Sequence, residues 1–114
     1  MEASEITRRN VAIAKFMGWQ KDDHEYAKWY LAGDGYVAFQ QHPWEDSPAF
    51  NTNWNLLMPV VENICKDRED AYHCGPSYKG GWFARFGVDK NSLGDTQILA
   101  TWIAVSDHVL SLEK

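Results

Sequence analysis

The sequence predicts an α+β fold in the order α-β-β-α-β-β-α, with a four-stranded antiparallel sheet sandwiched between helices. Three segments carry apolar residues at helical spacing, and two pairs of short segments flank turns rich in glycine. A sheet of this kind must cover its apolar surface with helices. At 114 residues the chain is long enough for one core, so we expect a single domain, 1–114.

The first helix is predicted over Glu5–Met17, where Ile6, Ile13 and Phe16 form part of an apolar stripe. Ser4 precedes this stripe and is a good N-cap residue, because its hydroxyl can accept a hydrogen bond from a free backbone amide. Gly18 follows the stripe and is suited to the left-handed conformation that ends many helices.

Two β-hairpins are predicted from alternating residues on either side of turn sequences. In the first, the strand Glu25–Leu31 returns through the turn Ala32–Gly35 as a second strand, residues 36–40. In the second, a short strand 71–74 returns through the turn Gly75–Gly81 as the strand 82–87. Residues 88–95 are predicted to form a loop.

The central helix begins near Trp54, and its apolar stripe consists of Trp54, Leu57, Met58, Val61, Ile64 and Cys65. Thr52 or Asn53 can cap it, and Pro59 should kink it because proline lacks the amide of an interior helical residue. The final helix is predicted to start after Asp95 or Thr96 and to reach about Leu112.

The overall charge argues against some partners. The net charge of −5 disfavours sequence-independent nucleic-acid binding, which requires basic groups to neutralise phosphates. The N-terminus lacks the pattern of a signal peptide and no apolar run reaches membrane-spanning length, so we expect a cytoplasmic protein that does not contact membranes. The two cysteines are expected to be free thiols, because the cytoplasm is a reducing compartment.

Several segments are similar to a family of small phage and prophage proteins, the phage ABA sandwich family. They are Ile13–Trp19, Asn53–Glu62, Trp82–Gly87 and Ala100–Val105, so that the likeness extends over most of the chain. The resemblance implies an α/β/α sandwich encoded by a phage or prophage, acting in the cytoplasm of a bacterial host. The family has no agreed activity, so the resemblance transfers no functional residue.

The sequence offers little support for catalysis or metal binding. The candidate zinc ligands lack the paired close spacing of structural zinc sites; they are His24, His42, Cys65, His73, Cys74 and His108. His73 cannot easily activate Cys74, because neighbouring residues of a strand point to opposite faces. No phosphate-binding loop or metalloprotease motif is present. We therefore predict no catalytic residue, no metal and no cofactor.

A ligand pocket is better supported, because aromatic and cationic residues cluster in and beside the second hairpin. Aromatic rings and cations together suit a nucleotide, through base stacking, cation–π contact and hydrogen bonds to phosphate. The alternative is that the aromatics belong to the core and the cations to the solvated surface. The glycine-rich turn could add backbone amides for an anion. The predicted ligand-binding residues are Tyr72, Tyr78, Lys79, Trp82, Arg85, Trp44, Arg8 and Arg9.

The resulting hypothesis is a non-enzymatic phage accessory protein that binds a small nucleotide-like ligand. It would act as a sponge, holding a host immune signalling nucleotide without converting it. We expect a homo-oligomer, because subunit interfaces often enclose ligands. The alternative is a protein-interaction module that inhibits a host defence or replication protein through its acidic surface. A third hypothesis is a small nucleotide hydrolase.

Overall fold

The computed structural model describes residues 1–22, 28–31, 38–39, 49–68 and 71–112. These residues form three α-helices and six β-strands, and the chain divides into two compact units, Met1–Ala49 and Phe50–Lys114. The α+β class is therefore confirmed. The predicted turn at 32–35, most of the loop before the central helix, and Trp44 lie outside the described residues.

The first unit contains one helix and a three-stranded antiparallel sheet in the order β1-β2-β3. In this sheet Trp19 pairs with Leu31, and Tyr30 pairs with Ala38. The antiparallel pairing predicted for the first hairpin is thus present, and β1 is an additional strand that was not predicted. The elements are α1 (Ala3–Phe16), β1 (Trp19–Asp22), β2 (Lys28–Leu31) and β3 (Ala38–Phe39).

The two ends of α1 differ in how well the sequence predicted them. Ser4 is not the N-cap, since α1 begins at Ala3 and the N-cap position is held by Glu2. The backbone carbonyl of Glu2 accepts from the amides of Glu5 and Ile6, which satisfies these donors without a side-chain cap. The prediction for Gly18 is confirmed, because its φ of 81° is the left-handed conformation that favours glycine.

The second unit contains two helices and a three-stranded antiparallel sheet in the order β4-β5-β6. The hairpin of β4 and β5 is confirmed, with His73 opposite Arg85 and Pro76 opposite Trp82. The elements are α2 (Trp54–Arg68), β4 (Tyr72–Pro76), β5 (Trp82–Phe86), β6 (Ser92–Gly94) and α3 (Gln97–Ser111). Strand β6 was predicted as loop, because three residues are too few to show alternation.

The predicted single sheet of four strands is not confirmed, since the described residues form two sheets of three strands. Both additional strands, β1 and β6, are short segments without an alternating pattern. Backbone pairing with a neighbouring strand stabilises them, and that pairing leaves no periodic signal in the sequence. None of the helices in the described ranges is long and apolar enough to cross a membrane.

Helix α3 lies directly on one face of the second sheet. Ala84 and Phe86 of β5 are buried on that face, and Trp102 and Val105 of α3 are fully buried. Gly94 permits the close approach of β6 and α3, because a Cβ atom there would lie 2.7 Å from the backbone nitrogen of Ala100. The buried residues of α3 are Ala100, Thr101, Trp102, Ala104, Val105, Ser106 and Val109.

Side-chain caps begin the two helices of this unit, as predicted. The Asn53 side-chain oxygen accepts from the amide of Asn55 at 2.9 Å, and the Thr96 hydroxyl accepts from the amide of Leu99 at 3.2 Å. Pro59 lies inside α2 at an exposed position, where its ring faces solvent.

We expect Thr96→Ala to lower the free energy of unfolding by about 1 kcal/mol, because the first turn of α3 loses its side-chain cap. Chemical denaturation monitored by circular dichroism measures this change. Ser4→Ala is the matched control and should leave the stability nearly unchanged, since Ser4 caps nothing. An equal loss in the two variants would contradict the assigned caps.

Candidate functional site

The face of the second sheet opposite α3 carries a fixed aromatic ring. Side chains alternate along β5, so Phe83 and Arg85 lie on the face opposite Ala84 and Phe86. The Phe83 ring covers Gly75 of β4, where a Cβ atom would lie only 3.2 Å from Phe83 Cε1. Glycine at this position therefore allows the ring to lie against the neighbouring strand.

A cleft of about 480 Å³ opens on this face, beside the turn of the β4–β5 hairpin. We call it the larger cleft. Its volume falls within the range of about 300–1,000 Å³ that is typical of small-molecule sites. Tyr78, which is 93% exposed, and Leu93, which is 57% exposed, present apolar surface to it. The lining residues are Pro76, Ser77, Tyr78, Lys79, Phe83, Lys90, Asn91 and Leu93.

The larger cleft is cationic although the whole chain is acidic. Lys79 and Lys90 line it, and its lining includes no carboxylate in the part of the chain that the structure describes. The Lys79 ammonium nitrogen lies 5.7 Å from the centroid of the Tyr78 ring, within the distance of a cation–π contact. A ligand in this cleft would meet an aromatic face and a positive charge at the same position.

Arg85 borders the larger cleft. Its Cζ atom lies 6.0 Å from the centroid of the Phe83 ring, and its Nη1 donates to the Asn91 side-chain oxygen at 3.3 Å. The Nε atom is buried and has no hydrogen-bond partner among the described residues. A buried donor without an acceptor is unfavourable, so this Nε atom costs free energy in the folded protein.

A second cavity, of about 230 Å³, opens at the end of the same sheet, and we call it the smaller cleft. It forms because β6 begins at Ser92, opposite Ala84, and does not extend beside Arg85 and Phe86. The loop after β5 and the last turns of α3 enclose the space that results. The lining residues are Arg85, Phe86, Asp89, Lys90, Ser92, Ala104, Asp107, His108 and Ser111.

Charges beside the smaller cleft are paired. The Arg68 guanidinium of α2 donates two hydrogen bonds to the Asp89 carboxylate, at 2.5 and 3.2 Å. This hydrogen bonding lowers the pKa of Asp89 below its usual value of 3.8. Partial burial, together with the nearby Arg68 charge, lowers the pKa of His108 below 6.5. The lowered pKa favours the neutral imidazole, whose ring is tilted by 49° against the Phe86 ring with centroids 6.2 Å apart.

The structure brings only part of the predicted site together. Tyr78 and Lys79 line the larger cleft, and Arg85 borders it. Trp82 shares the face of β5 that carries Ala84 and Phe86, so it points away from this cleft. Trp44, also predicted, lies outside the described residues.

Tyr72 was predicted at the site but faces α3 instead. Its hydroxyl is hydrogen-bonded to the hydroxyl of Thr101, which is fully buried. Burial, followed by hydrogen bonding to Cys74, raises the pKa of Tyr72 to about 12. Tyr72 is thus a structural residue at the contact between β4 and α3. Tyr72 is half-buried at this contact.

Arg8 and Arg9 lie on α1 in the first unit and interact with a residue of their own helix. Glu5 accepts hydrogen bonds from Arg8 at 2.6 Å and from Arg9 at 3.1 Å. Hydrogen bonding to Arg8 lowers the pKa of Glu5 to about 2. The structure therefore shows these two arginines as partners of Glu5.

The glycine-rich turn does not form the anion-binding nest that the sequence suggested. The amide of Ser77 donates to the carbonyl of Gly81, and the amide of Gly80 donates to the carbonyl of Ser77. The amide of Lys79 is directed to the Ser77 hydroxyl at 3.3 Å. These donors hold the turn itself, so the turn contributes side chains to the cleft rather than amides.

The sequence did not identify Phe83, Lys90, Asn91 and Leu93 as site residues. Alternation along β5 could have placed Phe83 beside Arg85 on one face. The other three belong to the segment that was predicted as loop. Only the pairing of β6 with β5 brings Leu93 opposite Phe83 and so carries Lys90 and Asn91 to the cleft.

No group of three or more His, Cys, Asp or Glu side chains suited to a metal ion occurs within the described ranges. Cys65 and Cys74 are both free, and the Gln97 side chain donates to the Cys74 sulfur at 3.2 Å. No protein family, curated protein or solved structure matches this chain. The geometry of the two clefts is therefore the main evidence on function.

We expect Tyr72→Phe to lower the free energy of unfolding by about 1–3 kcal/mol, because the buried Thr101 hydroxyl loses its partner. Thermal or chemical denaturation measures the loss. Tyr78→Phe is the matched control, since its exposed hydroxyl can be replaced without cost. A larger loss for Tyr78→Phe than for Tyr72→Phe would contradict the assignment of Tyr72 as the structural tyrosine.

We expect the stability to decrease as the pH falls below about 6.5. The folded state holds His108 with a lowered pKa, so the unfolded chain binds more protons between that pKa and 6.5. The contribution of Asp89 is lost at lower pH, below 3.8, because its folded pKa is also lowered. Denaturation at a series of pH values should show a shallower loss below pH 6.5 for His108→Gln. An unchanged slope in that variant would contradict the assignment.

Proposed function

We propose that the protein binds a small nucleotide-like ligand in the larger cleft and holds it without chemical conversion. The observation that supports this most directly is the composition of the cleft. Lys79 and Lys90 supply positive charge, while Tyr78 and Phe83 supply aromatic surface. An aromatic base with attached phosphates is the common metabolite class that combines a stacking face with negative charge.

The parts of the ligand can be assigned to the parts of the cleft. The base would stack on the exposed Tyr78 ring, close to the Lys79 ammonium. The phosphates would approach the ammonium of Lys90 and the guanidinium of Arg85, whose Nη1 lies beside Asn91 of the lining. Asn91 fixes the guanidinium through its hydrogen bond to Nη1, so the donor is already positioned before a ligand binds.

The biological role that we propose is sequestration of a host immune signalling nucleotide by a phage or prophage protein. This role depends on the resemblance that we inferred from sequence segments to the phage ABA sandwich family, as does the proposed arrangement of a sheet between helix layers. Sequestration requires tight binding, and a cleft open to solvent encloses a ligand better when a second subunit covers it. A homo-oligomer in the bacterial cytoplasm is therefore part of the proposal.

An interaction module that inhibits a host protein is the second candidate. Two exposed apolar side chains that line the larger cleft favour it, Tyr78 and Leu93. Exposed apolar groups that lie close together often contact a partner protein. Leu93→Asp should abolish the binding of a partner protein through this surface. The affinity for a nucleotide would depend mainly on the cations Lys79, Lys90 and Arg85.

The test is thermal denaturation of the purified protein with a panel of linear and cyclic nucleotides. A ligand at 100 times its dissociation constant should stabilise the fold by about 2.7 kcal/mol, a shift of several degrees for a chain of this size. The ligand should be recovered unchanged after denaturation. Turnover of the ligand in excess over protein would show instead that the protein is a hydrolase.

Substitutions of cationic residues at the larger cleft test whether the nucleotide binds there. Lys79→Ala and Arg85→Ala should each weaken binding about tenfold or more, since each removes a charged contact worth about 1.5–3 kcal/mol. Lys66→Ala is the matched control, because Lys66 is an exposed lysine of α2 that lines neither cleft. Isothermal titration measures these affinities. Equal losses in all three variants, or no thermal shift with any nucleotide, would contradict the proposal.

A further inference from the structure

The two clefts share residues, which suggests that they serve one ligand. Lys90 lines both of them. Arg85 lines the smaller cleft, stacks near the Phe83 ring of the larger one, and donates to Asn91, which lines the larger one. A cationic pair formed by Arg85 and Lys90 thus lies where the two clefts meet.

The two clefts differ in charge. The larger cleft carries two lysines and no carboxylate in the described lining. In the smaller cleft two carboxylates, Asp89 and Asp107, lie beside Arg85 and Lys90, and Asp89 also pairs with Arg68 of α2. Burial and the Arg68 charge lower the pKa of His108, which favours its neutral form. An anion is therefore favoured in the larger cleft and at its junction with the smaller one. The smaller cleft favours a neutral group that can donate hydrogen bonds to carboxylates.

The volume of the smaller cleft restricts what it can hold. At about 230 Å³ it lies below the usual range for a complete drug-sized ligand, which is about 300–1,000 Å³. It can accommodate one part of such a ligand. Asp107 is exposed on α3, and the Ser111 hydroxyl donates to the His108 carbonyl, which leaves the serine oxygen able to accept.

We propose that the two clefts form one extended site for a nucleoside diphosphate that carries a second, hydroxylated group such as a sugar. The base occupies the larger cleft, the diphosphate contacts Arg85 and Lys90, and the sugar hydroxyls donate to carboxylates of the smaller cleft. This inference rests on the proposed nucleotide binding and names the ligand class. Sugar hydroxyls suit Asp89 and Asp107 because carboxylates are acceptors with several lone-pair positions.

The test compares matched pairs of probes by isothermal titration: ADP with ADP-ribose, and UDP with UDP-glucose. Within each pair the second member adds a terminal sugar, and attaching that sugar also removes one ionisable oxygen from the terminal phosphate. We expect at least one sugar nucleotide to bind about tenfold or more tightly than its diphosphate, since each added hydrogen bond to a charged group contributes about 1.5–3 kcal/mol. Equal affinity within both pairs, or no binding of either sugar nucleotide, would overturn the inference.

Variants of the smaller cleft provide the second readout. Asp107→Ala removes an acceptor, and Ser111→Tyr places bulk at the cleft; both positions are exposed, so the fold should be retained. Each variant should reduce the affinity for the sugar nucleotide to that of the diphosphate and leave diphosphate binding unchanged. Lys79→Ala should weaken both members of a pair.

The outcomes separate the two proposals. Diphosphate binding that depends on Lys79, without a gain from the sugar, would refute the extended site and retain the proposed nucleotide site. Loss of diphosphate binding in Ser111→Tyr would show that the diphosphate itself occupies the smaller cleft, which also contradicts the inference.

Discussion

The contact between α3 and the sheet of β4, β5 and β6 is the constraint on which the rest of the second unit depends. Trp102 and Val105 are fully buried in α3, and Ala84 and Phe86 are buried on the sheet face beneath it. Backbone contact is equally close, since Gly94 has no space for a Cβ atom beside Ala100. Because cores are packed at nearly crystalline density, this contact fixes the position of all three strands.

Packing one face of the second sheet against α3 determines which side chains lie on the opposite face. Since side chains alternate along β5, burying Ala84 and Phe86 against α3 directs Phe83 and Arg85 outward. The register of β4 then places Gly75 beneath the Phe83 ring, and the register of β6 brings Leu93 beside it. The larger cleft is therefore a consequence of how the core packs. Its charge comes from residues that the core does not need.

The two clefts combine features that stability alone does not explain. The Nε of Arg85 is buried without a hydrogen-bond partner in the described part of the chain, an arrangement that costs free energy in the unliganded protein. Tyr78 is almost fully exposed beside Lys79 in a chain whose net charge is −5. By contrast, the hydroxyl of Tyr72 in β4 is hydrogen-bonded to the hydroxyl of Thr101, and this tyrosine contributes to the packing of β4 against α3.

The sequence by itself determined the α+β class, the three helices and the antiparallel second hairpin, because helical periodicity is a local property. It narrowed the caps to Thr52 or Asn53 and to Asp95 or Thr96, and the structure selects Asn53 and Thr96. It also identified Tyr78, Lys79 and Arg85 as candidates. Only the tertiary structure decided that Tyr72 and Trp82 face α3, that β1 and β6 are strands, and that Lys90 reaches the cleft. Strand pairing and the choice of buried face depend on residues that are distant in the chain, so no local sequence pattern predicts them.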